Sequence, residues 1–417
     1  MRKSRDSDST ADGISRLMLF FAIVYTVEGL GQAKAGVVWQ PLTHYLKETQ
    51  NWDPVQIAAS LAVLDVPWVI KPLYGVISDF LPLFGYRRRS YLLLANIGAV
   101  AAFLWTTQVL TPAAIVFALL LTAIAMAVSS TVCGALLVEN GQKHRASAAF
   151  INQQWLWFNI AVMVGSLAGG GLIEVLSAPG ALHAAAAIAA VAPIAVIVSS
   201  IALVDERHAG INIAELRSAL RGFIDTFRSR TLWLIAAFLF CYYFSPGFGT
   251  PLYFHMSDNL RFSQGTIGML SSVNAGGWIA GGLLYRWLLT GLTTRALLNL
   301  SILAGTLVTL AFLGMVDETS AIAIYFVNGI AGMIANIATL TLAAEHCPER
   351  SEGFAFAALM SVINLANPLA DTIGAFLYQH LFHQTLAPLI VVSAAFTAFI
   401  FVLVPLLDRF ATAPRRI

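Results

Sequence analysis

Five ionisable side chains, Glu28, Lys34, Asp65, Lys71 and Asp371, interrupt runs of sequence that are otherwise dominated by apolar and small residues. A charge inside an apolar helix is costly in a bilayer, so each of the five is a candidate for function. Two chemistries are open to them. A lysine can hold an anionic solute, and a carboxylate can take up and release a proton, because burial raises its pKa and a neighbouring lysine lowers it. Alternatively, the acids and lysines form buried ion pairs that only hold neighbouring helices together, since an unpaired buried charge is worse than a paired one. The readings are compatible, because a pair can open to admit a solute.

The elements that must position these groups follow from composition. Of 417 residues, 58% are hydrophobic and only 11% charged, whereas an ordinary soluble domain carries about a quarter charged residues. A soluble enzyme, a nucleic-acid binder and a disordered scaffold are thereby excluded as classes. Apolar windows long enough for a bilayer core predict twelve helical spans: 17–40, 55–78, 90–109, 112–139, 147–175, 181–204, 232–254, 265–287, 293–315, 320–344, 353–380 and 385–407. With a cytoplasmic N-terminus, twenty of the 24 lysines and arginines fall on the inner side. Lys47 and Arg261 lie outside, and Lys34 and Lys71 lie within spans. So one-sided a distribution fixes the expected orientation, with both termini cytoplasmic in a cell (inner or plasma) membrane. The three cysteines, Cys133, Cys241 and Cys347, have no motif spacing, and neither a metal site nor a cofactor is expected.

The expected organisation is a cytoplasmic tail (1–16), a six-helix bundle (17–204), a cytoplasmic amphipathic linker (205–231), a second six-helix bundle (232–407) and a cytoplasmic tail (408–417). A shift of 210 residues supports two related halves. It places Pro41-Leu42 on Pro251-Leu252, Trp52 on Phe262, Asp53 on Ser263 and Ile57 on Ile267 without a gap. Asp53 and Ser263 both precede apolar runs, as helix N-caps do. The first two spans run antiparallel, so depth from the inner face can be counted along each. Glu28 falls at roughly 16 Å and Lys71 at roughly 12 Å, with Lys34 at roughly 25 Å and Asp65 at roughly 21 Å. Opposite charges therefore share depths in two layers.

Three stretches carry a more specific signal. One runs from Val66-Pro67-Trp68-Val69-Ile70-Lys71-Pro72-Leu73-Tyr74-Gly75 through Ser78-Asp79 to Gly85-Tyr86-Arg87-Arg88-Arg89. The second runs from Cys347-Pro348-Glu349-Arg350 to Ile363-Asn364, and the third pairs Ser245-Pro246 with Leu284-Tyr285. Together they resemble the folate–biopterin transporter family of the major facilitator superfamily. That resemblance implies an all-α integral membrane protein with twelve transmembrane helices in two six-helix pseudo-repeats. It also implies import of a pterin-type or other organic anion driven by protons. The chain departs from the family in span four, where Ser130 and Gly134 stand at positions expected to be acidic and only Val138-Glu139 is kept, and in span one, where Glu28-Gly29 replaces Gln-Gly.

On this reading Lys71, Lys34, Asn152, Gln153, Trp155, Tyr243 and Asp371 are the substrate-binding candidates, and Glu28 and Asp65 couple the proton. Carboxamides donate and accept, and an indole stacks on a flat heterocycle; helix packing or interface anchoring is the competing role for these polar and aromatic residues. Pro72 removes the N–H that would bond the Trp68 carbonyl, which predicts a kink beside Lys71. Asp371, near Asn364 and Asn367, is either a substrate contact or a polar contact to span seven or eight. Gly75, Asp79, Arg87, Arg88 and Arg89 resemble the superfamily's cytoplasmic gating signature. The arginines either bind lipid phosphate and carbonyl ends or serve only topology. The expected partners are a small organic anion, protons and membrane lipid, with no nucleic acid, and the expected state is a monomer. Siderophores, muropeptides and other bulky organic solutes, moved in either direction, remain alternatives, as does a transport-inactive sensor or scaffold. No nucleophile or metal constellation points to an enzyme.

Overall fold

The structure is a computed structural model that describes residues 2–144, 146–206, 208, 210, 228–347 and 352–411. Most of the linker 205–231, with its expected amphipathic helix, and the Pro348–Ser351 part of the second motif lie outside the described residues. Eleven helices among the described residues are long and apolar enough to cross a bilayer, and Arg230–Tyr243 is a shorter apolar helix that completes twelve spans.

The repeat found by shifting the chain is real in three dimensions. Helix Trp39–His44 widens into a π-turn at Tyr45–Thr49, and helix Gly249–Phe254 widens likewise at His255–Asn259, each 210 residues later. A left-handed residue follows at the same offset, Asn51 (φ 54°) and Arg261 (φ 54°). The N–H of Trp52 then returns to the carbonyl of Leu46 at 3.0 Å and that of Phe262 to Met256 at 2.9 Å. Both expected caps form. Asp53 and Gln56 exchange bonds, backbone N–H to side chain, at 2.8 and 3.0 Å, the reciprocal pattern of a capping box. Ser263 accepts from the N–H of Thr266 at 3.0 Å.

Three spans expected to be continuous are broken. Span one ends its first helix at Gly31 and resumes at Trp39. Span seven stops at Tyr243 and resumes at Gly249, across Ser245-Pro246-Gly247. There the N–H of Gly247 bonds the Ala370 carbonyl of span eleven at 2.9 Å instead of a carbonyl of its own helix. Span two divides into Pro54–Val69 and Lys71–Phe80, with Ile70 (φ −92°, ψ 13°) as the turn between them. Pro72 explains that break, because its nitrogen carries no hydrogen for the Trp68 carbonyl. Asn364 supplies the missing donor, its Nδ2 lying 2.9 Å from that carbonyl. Irregular backbone at membrane depth survives only where such groups are satisfied again.

By contact the chain forms two compact units, Met1–Tyr45 with Ile70–Ile213, and Leu46–Val69 with Ala214–Ile417. The division therefore cuts span two at its break. Within the first unit, span one packs on span five and span three on spans four and six. Gly29, Gly165 and Gly169 allow the close approach of one to five, since a Cβ on Gly169 would come 2.8 Å from the Val37 carbonyl. Phe20, Phe21, Tyr25, Phe103 and Phe150 fill the interior of this unit. Within the second unit, Pro54–Val69 packs on span eleven (Glu352–Phe376), and spans eight and ten, Gln264–Leu284 and Glu318–Glu345, meet through Gly277, Gly281 and Gly329. The turn bearing Lys47 is held there too, by ion pairs to Asp258 at 2.6 Å and Glu48 at 2.5 Å.

Candidate functional site

Glu28 and Lys71 come together in the first unit, as their matching depths imply. Lys71 opens the second helix of span two, with Pro72 beside it in the first turn. Its Nζ donates to Ser130 Oγ of span four at 3.0 Å. The Glu28 carboxylate interacts with that same hydroxyl and with the Lys71 charge. Oε2 of Glu28 is shut away from solvent and receives no hydrogen bond from the described residues. Tyr25, one turn earlier on span one, and Cys133, one turn after Ser130, complete the cluster and are both buried. The tyrosine hydroxyl meets the thiol of Cys133.

The arrangement is a lysine and a carboxylate bridged by a hydroxyl in an apolar interior. There the attraction between unit charges is several times stronger than in water, and desolvation penalises either charge left alone. Ser130 stands where the family pattern leads one to expect an acid, and Glu28 places a carboxylate beside it from span one. Two members of the cluster, Tyr25 and Cys133, escaped the sequence reading. Their signal was helical spacing, three residues from Glu28 and from Ser130, but buried aromatic and thiol side chains are common in any core.

The other candidates are distributed over both units. Lys34 lies in the interruption of span one, and Asp65 lies in Pro54–Val69, which belongs to the second unit; each is half-buried. In span five Asn152 is exposed, Gln153 accepts from the indole of Trp157, and Trp155 packs edge-on against Phe158. Both of those contacts stay within span five. In the second unit, the Tyr243 hydroxyl pairs with Thr339 Oγ1 of span ten at 2.8 Å, and Tyr242 donates to Ser301 of span nine at 2.8 Å. Asp371 lies against the backbone of span seven, where a Cβ on Gly247 would overlap its Oδ1. Asn364, expected beside it, is instead occupied with the Trp68 carbonyl.

The signature after span two separates its three arginines. Arg88 is 7% exposed. It bridges Asp79 at 2.5 Å and Glu139 at 2.6 Å, and donates to Ser78 Oγ at 3.0 Å. Burial works against its charge, but Asp79 and Glu139 more than offset it and hold the guanidinium above its ordinary value. Arg89 instead lies over the Tyr86 ring, 5.7 Å from the centroid. Gly85 turns the chain at φ +81°, a conformation that favours glycine. A partner unseen in the sequence is Glu206, whose carboxylate accepts the backbone N–H groups of Arg87, Arg88 and Arg89 at 2.7 to 3.2 Å. Gly75 faces span four at Thr131.

With that geometry in view, the comparison with known proteins is decisive. The profile of the BT1 family matches residues 31–412. The chain belongs to the BT1 family. Among relatives of this BT1 family member, the folate-biopterin transporter of Synechocystis is 27% identical over 379 residues, covering 86% of this chain and 74% of that one. Probable folate-biopterin transporter 2 of Arabidopsis thaliana is 24% identical over 373 residues, 84% and 74% of the two chains. Among solved structures, the nucleoside transporter NupG superposes with a TM-score of 0.66 at 15% identity, over 95% of this chain and 100% of that one. The human organic anion transporter MFSD10 also gives 0.66, at 16% identity, over 94% and 99%. The fold is that of the major facilitator transporters, with twelve spans in two pseudo-repeats. This BT1 family protein is a multi-pass membrane transporter of a small molecule and not an enzyme.

Proposed function

We propose that this BT1 family protein imports a folate- or pterin-like organic anion together with protons, by alternating access, as a monomer in the inner or plasma membrane with both termini cytoplasmic. The observation that carries the reading is the Glu28–Ser130–Lys71 cluster beside the break in span two. The printed names of the relatives, folate-biopterin transporters, support the substrate class. Lys71 is the anion-holding group. In the resting cluster its charge faces Glu28, and a substrate carboxylate competes for the same ammonium. Protonation of Glu28 removes the competing charge, so anion and proton load together. Release of both restores the pair, which returns the empty carrier without net charge movement at this site. Ser130, in contact with both groups, keeps them in register while the partner of Lys71 changes. Lys34, Asp65 and Asp371 are the secondary candidates for contact with substrate or proton, and Asn152, Gln153, Trp155 and Tyr243 for contact with the heterocycle. Gly75, Asp79 and Arg87–Arg89 stabilise one state of the cycle.

Uptake of labelled folate into vesicles under an acid-outside gradient tests the reading. Lys71→Ala abolishes uptake, whereas Arg415→Ala in the tail leaves it unchanged. Glu28→Gln keeps exchange of labelled for unlabelled substrate but loses accumulation driven by the gradient. Full gradient-driven accumulation by Glu28→Gln removes the coupling role, and full uptake by Lys71→Ala removes the anion site.

A further inference from the structure

Spans one and six, both in the first unit, leave a groove of about 530 Å³ open between them, inside the range of ~300–1,000 Å³ typical of pockets that hold small ligands. Ile23 of span one lines it together with Val191, Ile194, Ala195, Val198 and Ala202 of span six. The span-six residues recur at helical spacing and so share one face. Val191, Ile194 and Val198 are 66, 47 and 60% exposed. Ser199, also in the lining, donates to the Val196 carbonyl at 3.2 Å and asks nothing of an occupant. From Val191 to Leu203 the helix rises about 18 Å, close to one leaflet of a hydrocarbon core roughly 30 Å thick. A charge stands at one end of this apolar track. Arg16 lies two turns before Ile23 on the same face of span one, and its guanidinium Nη2 donates to the Ala202 carbonyl at 2.8 Å. Ala202 belongs to the last turn of helix Ala178–Leu203, where carbonyls have no partner within the helix. That bond uses one corner of a planar fork whose other N–H groups suit the oxygens of a phosphate. Arg16 is exposed, and Glu206, just past span six, is turned instead to the backbone N–H groups of Arg87, Arg88 and Arg89.

We propose that this groove is a binding site for an anionic phospholipid of the leaflet nearer the N-terminus, with one acyl chain lying along span six and the phosphate on Arg16. The two parts of the site match the two parts of the ligand, an apolar track of about one leaflet's depth ending on a cation. An acyl chain gains little by leaving other chains for an apolar groove, since lipid tails are as apolar as the side chains that line it. The headgroup therefore decides which lipid stays. One basic residue near the membrane surface favours an anionic over a zwitterionic headgroup by roughly fivefold.

The test is native mass spectrometry of the purified full chain in detergent, titrated with phosphatidylglycerol and phosphatidylcholine of identical acyl chains. Wild type retains phosphatidylglycerol in a saturable complex, with an affinity roughly fivefold or more above that for phosphatidylcholine. Arg16→Gln keeps a side-chain donor for the Ala202 carbonyl but loses the charge, so the two affinities converge. Val198→Trp fills the groove and weakens binding of both lipids, whereas Leu307→Trp, at a 58% exposed position of span nine, leaves both unchanged. Wild type without saturable binding or without headgroup preference overturns the site and leaves only ordinary lipid contact. A preference that survives Arg16→Gln overturns the phosphate assignment, and binding that survives Val198→Trp overturns the groove. A wild-type dimer that Val198→Trp abolishes gives the groove to a second copy of the chain and overturns the lipid assignment.

Discussion

Replacing Asn364 by alanine removes the side-chain donor that lies 2.9 Å from the Trp68 carbonyl, at a position where Pro72 has no N–H to take its place. An orphaned buried carbonyl costs about 1–3 kcal/mol. Interhelical hydrogen bonds measured in a membrane protein average about 0.6 kcal/mol with a maximum near 1.7, which brings the expected loss to about 1–1.5 kcal/mol. A second substitution isolates the cause. Pro72→Ala restores an N–H at the position that would bond Trp68 in a continuous helix, so the same Asn364→Ala change in that background costs at most about 0.5 kcal/mol. The coupling energy is then about 0.5–1 kcal/mol. Reversible unfolding in mixed micelles, run on the four proteins of the cycle, measures it. Equal costs of Asn364→Ala in both backgrounds, within about 0.3 kcal/mol, would refute the claim that Asn364 repairs the proline break. It would also leave the hinge beside Lys71 without its structural explanation.

Other perturbations have outcomes as definite. Gly374→Ala drives a Cβ into the Gly247 carbonyl, so thermal unfolding should show a loss of about 1–3 kcal/mol. Gly171→Ala, with nothing within 4 Å of its Cβ, should change stability by no more than about 0.5 kcal/mol. Removing Arg88 as Arg88→Leu strands Asp79 and Glu139; because both carboxylates are about half exposed, the penalty in a denaturation curve should be about 2 kcal/mol, below that of a fully buried pair. Bonds from the backbone and side chain of Ser320 hold the Asp317 carboxyl below its ordinary value of 3.8. The cap's contribution is therefore complete above that value and fades as pH falls through the lower folded value. A melting-temperature series against pH should show Asp317→Ala lacking this acid-sensitive part, and identical acid limbs in the two proteins would count against the cap.

Much of the architecture was legible in the residues alone because a bilayer imposes a coarse and strict code. Apolar runs of that length had to be spans. The repeat at 210 residues was visible as a few matched residues and appears in space as two equal π-turns, each followed by a left-handed residue. The breaks were only partly legible. Pro72 announced a kink, but a missing N–H does not say who will satisfy the carbonyl, and Asn364 lies 296 residues from Trp68. Nor did Pro246-Gly247 reveal that the Gly247 N–H would cross to Ala370. Arg87, Arg88 and Arg89 were indistinguishable as a run, yet Arg88 is the buried one, bridging Asp79 and Glu139.

The amino-acid order by itself settled that this is a twelve-span membrane chain of two related halves, and it gave Glu28 and Lys71 similar expected depths. Both follow from local quantities, hydropathy over a helix length and rise per residue, which need no knowledge of neighbours. Tertiary structure decided which helices meet. It set Ser130 between lysine and acid and gave Asn364 to a broken helix. Those outcomes depend on rotation about each helix axis and on contacts hundreds of residues apart, and no periodicity along the chain encodes them.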